Sequence, residues 1–354
     1  MKMKPMEIRS GPMTPVEITA PFPVMDELGR PTHFGWAKAP YFQYNSTLIR
    51  VSRRRVNESD RYIIFSPTHL VMLEVLDSGY IGYSGISVIS LKDKKRSTQI
   101  FNTPFPLGSF EMPQSSETGS VRIQVKKAHI DFIVMKGGFR IIKTDLPTFG
   151  HHLRLRGEVV LSVPKGAESL ITHMSWRGDK NAFRYARRSP WFTVEGVMQV
   201  GSSEVVFTQG KAWGILDWNR GVRPRGDIRY WAAACGICGD RLVGLSVGYD
   251  SADSRQGTEN AFFLDGKLHK LDQVTFHISP ANWLEPWHFT SNDNRLEMRF
   301  IPHQEWEEYS RMLFYTLKSR QVCGFFSGKV RLDDGSTFVF QNLTGFAERR
   351  KTRF

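Results

Sequence analysis

Beyond about residue 60, apolar and polar positions alternate with period two through most of the chain. In LRLRGEVVLSV, Leu153, Leu155, Val159, Leu161 and Val163 share one side, while Arg154, Arg156, Glu158 and Ser162 share the other. DQVTFHIS repeats the pattern with Val274, Phe276 and Ile278, and RLEMRF with Leu296, Met298 and Phe300. Successive side chains of a strand point to opposite faces, so each run predicts a half-buried β-strand. The separators carry hairpin chemistry. Asp265-Gly266, Asp334-Gly335, Gly137-Gly138 and Asn292-Asp293-Asn294 each stand between two such runs, where these residue types tolerate positive φ.

One stretch reads two ways. QEWEEYSRMLFYTLKS places Trp306, Tyr309, Leu313 and Leu317 on one helical face, yet RMLFYTLK also reads as a strand, and its neighbours favour the strand. Many short antiparallel strands without alternating helices predict an all-β protein, built as sandwiches or barrels. Residues 1–45, with several prolines and little periodicity, predict an extended N-terminal arm. The alternation breaks again near 164–190, which divides the rest into 46–175 and 176–354.

Composition narrows the picture. The chain has 354 residues, 40% of them hydrophobic and 23% charged, which suits a globular fold of about two domains and excludes wholesale disorder. No run approaches the eighteen or so apolar residues of a spanning helix, and MKMKPMEIRSGPM lacks the apolar core of a secretory signal. Forty-eight basic against 35 acidic residues give a net charge of +13, a surface that attracts anions. No zinc-finger spacing or ribonucleoprotein motif accompanies it, so the expected partners include no specific nucleic acid, and peripheral membrane contact stays open. Three cysteines do not make a disulfide framework and suit a cytoplasmic location. Cys235 and Cys238 form a CxxC between strand-like segments, without the following helix of a redox pair or a second pair for zinc. Glycine-rich phosphate loops, GxSxG and HExxH are absent, so no cofactor or metal is expected.

Candidate chemistry concentrates in 213–287. WGILDWNRGVRP, RYWAAACG, GTENAFFLDGKLHKL and EPW gather tryptophans, arginines and acids of the kind that line a pocket. Asp217, between Leu216 and Trp218, reads either as a general acid with a raised pKa or as an ion pair with Arg220 that pins the turn at Gly221. Arg220 reads as an anchor for an anionic ligand or as a buried hub for its loop. Arg223 is expected to face solvent. Glu259 and Asn260 occupy successive strand positions, so only one of them can look into a pocket. His269 follows the Asp265-Gly266 turn and reads as a base, a metal ligand or a hydrogen-bonded structural residue. Trp213, Trp218, Trp231 and Trp287 read as cavity walls or as core.

The segments LDWNRGVRP, TENAFFLDGKLHKL, GRPTHFGWAKAPYFQYN and QVCGFFSGKV, with GFAER near the end, resemble the bacterial family catalogued as domain of unknown function 2804. The chain departs from that pattern at Asn219 and Arg223, where a small residue and an aromatic are expected. The resemblance implies a tandem of two antiparallel lipocalin-like β-barrels, similar in fold to carotenoid hydratase and tocopherol cyclase. Closed barrels would also remove exposed sheet edges. The functional expectation is binding or carriage of a hydrophobic or amphipathic small molecule, lipid or isoprenoid-like, in a hollow second barrel with Asp217 and Arg220 at its rim. The alternatives are a cofactor-free hydratase, cyclase or isomerase with Asp217 as acid, and a basic surface that binds acidic membrane or nucleic acid.

Overall fold

A computed structural model describes residues 15–353 apart from Arg177, Leu313 and Phe314. Among the described residues the only helical turns are two 3-10 turns, Ser46–Leu48 and Arg53–Arg55, and no helix is long and apolar enough to cross a membrane. The other elements are strands. Three short ones, β1 (Phe22–Pro23), β2 (Gly35–Ala37) and β3 (Phe42–Gln43), fall within 1–45, of which residues 1–14 lie outside the described chain.

The first large sheet contains β4 (Glu58–Phe65), β5 (His69–Asp77), β6 (Ile81–Ser90), β7 (Arg96–Pro104), β8 (Ser120–Val125) and β9 (Ala128–Val134). It continues with β10 (Arg140–Phe149), β11 (Leu153–Ser162), β12 (Leu170–Trp176), β13 (Asp179–Val200), β14 (Ser203–Phe207) and β15 (Trp213–Val222). Its order is β7-β6-β5-β4-β15-β13-β11-β10-β9-β8, with β12 and β14 also on β13 and β2 on β12. The second sheet contains β16 (Gly226–Cys238), β17 (Arg241–Tyr249), β18 (Ala261–Leu264), β19 (Lys267–Lys270), β20 (Val274–His277) and β21 (Trp287–Ser291). Three long strands complete it: β22 (Leu296–Met312), β23 (Tyr315–Arg331) and β24 (Thr337–Arg353), in the order β19-β18-β17-β16-β24-β23-β22-β21-β20. Both are antiparallel between neighbours, so the all-β expectation holds and RMLFYTLK falls on strands, apart from Leu313 and Phe314.

Both sheets roll up. Ser97 on β7 lies against Gly150 beyond β10, and Tyr249 on β17 meets Phe276 on β20 with ring centroids 5.3 Å apart. Side chains, not backbone ladders, make these closures, which join β7 to the end of β10 and β20 to β17. Strand pairing passes from the first sheet to the second between Val222 and Gly226. β15 is drawn into the first sheet because it pairs with β4 on one side and β13 on the other.

Period two then sorts every strand. On β4, Tyr62 and Ile64 enter the first interior with Leu216 and Trp218 of β15, while Ile63, Phe65, Trp213 and Ile215 point the other way. Those outward residues meet Trp231, Ala233, Cys235, Trp306 and Phe346 of the second sheet, so the two sheets pack back to back. The second interior is one packed cluster from Ala232 to Ala347, including Trp283, Trp287, Phe289, Phe300 and Phe326. Trp287, Phe289, Phe300 and Phe326 pack ring on ring there, as interdigitated cores do.

Candidate functional site

Two charged assemblies lie inside the molecule, one between the sheets and one within the first. Between them, Asp217 accepts from Arg61 at 2.8 Å and lies 2.7 Å from Arg188 Nη1 and 3.2 Å from Arg229 Nη1. Arg61 also grips Glu348 of β24 through both terminal nitrogens, at 2.8 and 2.6 Å. Arg188 donates to Glu259 at 2.7 Å, and Arg184 and Arg229 approach the same carboxylate at 3.3 Å. Trp231 lies under Arg61, Arg229 and Arg188, with guanidinium carbons 5.0, 5.1 and 5.9 Å from its ring. Burial pushes the Asp217 carboxyl upward, but Arg188, Arg229 and Arg61 outweigh it and hold it well below the usual range. Glu348 and Glu259 are lowered for the same reason, against the same burial. Asp217 is therefore ionised and holds no proton to donate, and its partners replace the expected Arg220 pair. Positions 217 and 220 differ by an odd number, so they face opposite sides of β15.

The second assembly lies under one end of the first sheet. Arg140, Arg187 and Arg220 are in phase with the buried residues of β10, β13 and β15, and all three are buried. Asp60 is the nearest sheet carboxylate, 2.8 Å from Arg220 Nη1. The remaining partners come from one irregular segment, 105–119. Arg220 donates to the Pro113 carbonyl at 2.8 Å and Arg140 to the Ser116 carbonyl at 2.8 Å. Arg187 donates to Ser116 Oγ and Glu117 Oε1, each at 3.1 Å. Arg140 Nε and Nη1 and Arg220 Nη2 are buried with no hydrogen-bond partner among the described residues.

Aromatics surround these guanidiniums. Arg220 lies 4.2 Å from the Trp218 ring centre, Trp218 packs edge-on to Tyr185, and Tyr62 packs on Phe132. Burial pushes the Tyr62 hydroxyl up to about 12, while Arg140, Arg187 and Arg220 pull it back. Glu58, in phase with Asp60 on β4, is raised by burial despite Arg220 and accepts from Tyr44 at 2.9 Å. The covering segment is strained, since Phe105, Leu107 and Glu111 have φ of 47°, 51° and 47°, a region costly for such side chains. Phe110 packs against Gly82, and Met112 is buried in the core beneath.

The model of the family described as domain of unknown function (DUF2804) matches residues 15–354. The chain belongs to that family. None of the curated proteins compared with this DUF2804 chain matches it. Among solved structures it is similar to an AttH-type protein of Nitrosomonas europaea, at 12% identity and a TM-score of 0.47, over 83% of this chain and 92% of that one. It is also similar to kievitone hydratase from Nectria haematococca, at 10% identity and a TM-score of 0.43, over 88% and 95%.

The sequence candidates of this DUF2804 protein do not converge on one place. Asp217, Glu259, Trp213 and Trp231 lie between the sheets, while Trp218 and Arg220 face the first interior. Trp287 is core in the second sheet, its indole donating to the Trp283 carbonyl at 3.0 Å. Asn260 points away from Glu259 and ties Gly248 to Asp272. His269 accepts from the Asp333 backbone at 3.2 Å at the outer edge of β19. Arg223, expected in solvent, is buried and donates to the Arg54 carbonyl at 3.0 Å. Cys235 is buried and Cys238 is partly exposed, three positions apart on β16, so the CxxC does not present two thiols on one face. Arg140, Arg187, Asp60 and Tyr62 are absent from the sequence candidates. A usable signal is present nonetheless: in FRYARRS and ESDRYIIF, Arg187 and Asp60 are in phase with Tyr185 and Tyr62 on the buried side.

Proposed function

We propose that the first sheet's interior binds a small amphipathic anion, an apolar body bearing a carboxylate or similar oxyanion, beneath the 105–119 segment. One observation carries this reading: three buried guanidiniums, two of them with unpartnered N–H groups, converge on an aromatic wall and are met by two carbonyls, a hydroxyl and a carboxylate of a single irregular segment. Buried charge is costly unless it is paired. A ligand oxyanion in place of the Ser116 carbonyl would give Arg140 a paired charge, which it lacks among the described residues, and Trp218, Tyr185 and Phe132 would take its apolar part. The crevice between Tyr62, Arg140, Trp218 and Pro113 is too tight for a water molecule, so binding requires the segment to lift.

Titration with decanoate and with decanol, followed by tryptophan fluorescence, tests the reading. Decanoate should bind at least about tenfold more tightly than decanol, and Arg187→Ala should remove that preference, as expected for a charged hydrogen bond of about 1.5–3 kcal/mol. Equal binding of the two, or an undiminished preference in Arg187→Ala, would overturn it.

A further inference from the structure

We infer that the end of the molecule carrying the start of the 105–119 segment is a docking surface for an anionic lipid bilayer, from which the interior is loaded. The loading route rests on the proposed function. The surface rests on its own geometry. Phe105 and Leu107 stand 40% and 44% exposed at the strained start of the segment, so two large apolar side chains point outward where it leaves β7. Around them stands a cluster of cations. The 3-10 turn Arg53–Arg55 lies alongside, with the Arg53 Nε donating to the Leu107 carbonyl at 3.3 Å. The Arg54 guanidinium sits 6.0 Å from the Phe105 ring centre and 5.8 Å from that of Tyr80.

The long ribbon of β22, β23 and β24 ends in the same neighbourhood. Tyr315 lies 5.9 Å from the Arg223 guanidinium, and Arg223 in turn donates to the Arg54 carbonyl. Thr316, the next residue, pairs with Arg311 on one side and Arg353 on the other. Arg53 and Arg55 have carboxylate partners in Glu58 and Asp179. Among the described residues, Arg54, Arg311 and Arg353 have none within ion-pair distance, and all three are exposed.

Apolar tips beside the uncompensated Arg54, with Arg311 and Arg353 at the neighbouring ribbon end, match a bilayer interface, where the tips enter the acyl boundary and the cations meet headgroup phosphates. Leu107 has nothing to offer a base or a phosphate, and the Phe105 ring is already flanked by Tyr80 and Arg54, which leaves a nucleic acid little to stack on. Contact at this end would draw Phe105 and Leu107 into lipid, and so pull on the segment that covers Arg140, Arg187 and Arg220.

Co-sedimentation with phosphatidylcholine vesicles, with and without phosphatidylserine, tests the surface. The full chain should bind the phosphatidylserine vesicles, release them in high salt, and bind neutral vesicles weakly. Phe105→Asn with Leu107→Asn keeps a residue that tolerates positive φ and should lower binding about tenfold or more. Arg54→Glu should lower it by at least about fivefold, while Lys329→Ala, at the opposite end of β23, should leave it unchanged. Absent vesicle binding, binding indifferent to the surface substitutions, or binding of a labelled oligonucleotide lost through those substitutions in its stead would overturn the inference. Decanoate binding without vesicle binding overturns the docking surface alone. Vesicle binding that follows these substitutions without decanoate binding overturns the proposed function and the loading route, and upholds the surface.

Discussion

Asp217 sits among three guanidiniums, and its value lies in holding together groups that would be costly apart. Arg61, Arg188 and Arg229 each bring a buried positive charge, and the carboxylate is shared among them. Removing one member of such a set leaves the others uncompensated, so Asp217→Asn is expected to cost about 3 kcal/mol or more, read as a shift of the urea midpoint. The pH dependence has a definite sign. The folded pKa values of Asp217, Glu259 and Glu348 lie below those of the unfolded chain. Their contribution is thus fully present above the unfolded carboxyl range, about pH 4, and is lost as pH falls through the folded values. Acid titration of the wild type followed by circular dichroism should show a steeper loss below about pH 4 than Asp217→Asn shows. The residue pattern contained part of this: charge amid apolar neighbours marked Asp217 as buried. It did not contain the partners, since Arg61 and Glu348 are 156 and 131 positions away in the chain.

Elements were more legible than contacts. Asp265-Gly266 makes its predicted turn, with φ of 48° and 78°, because both residues accept the left-handed region at little cost. The strand reading of RMLFYTLK prevails over the helix because β23 lies between β22 and β24, an argument from pairing that no local window contains. Gly221 shows the same limit. Its sequence context reads as a turn, yet it lies within β15 at φ 149°, where an added Cβ would sit 2.2 Å from the Phe183 carbonyl. Gly221→Ala is therefore expected to destabilise by well over about 1 kcal/mol, measured by the denaturant midpoint, with β13 and β15 forced apart. The 105–119 segment was invisible for a different reason. Phe105, Leu107 and Glu111 are not residue types that prefer positive φ, so only tertiary packing holds them there.

At the scale of the whole molecule, the two rolled sheets share one apolar and ionic seam instead of meeting through a linker. Arg61–Glu348 joins β4 to β24, Arg350–Glu74 joins β24 to β5 at 2.8 Å, and Trp231 lies between. Strands of both sheets are therefore expected to open together: amide hydrogen exchange in β9 and in β21 should report one common free energy, and Arg61→Ala should separate the two. Two distinct values in the wild type would contradict a shared seam. The all-β class was readable from periodicity, whereas the seam and the packing of the second interior depend on which strands meet.

The alternation along β15 carries a consequence for any mutational survey of WGILDWNRGV. Odd positions such as Asp217 belong to the mortar between the sheets, and even ones such as Trp218 and Arg220 to the chamber of the first. Adjacent substitutions should then have unrelated phenotypes, cohesion at one site and selectivity at the next. A single inserted residue would exchange the two ledgers along the rest of the strand, so this decapeptide should tolerate replacement far better than any change in its length.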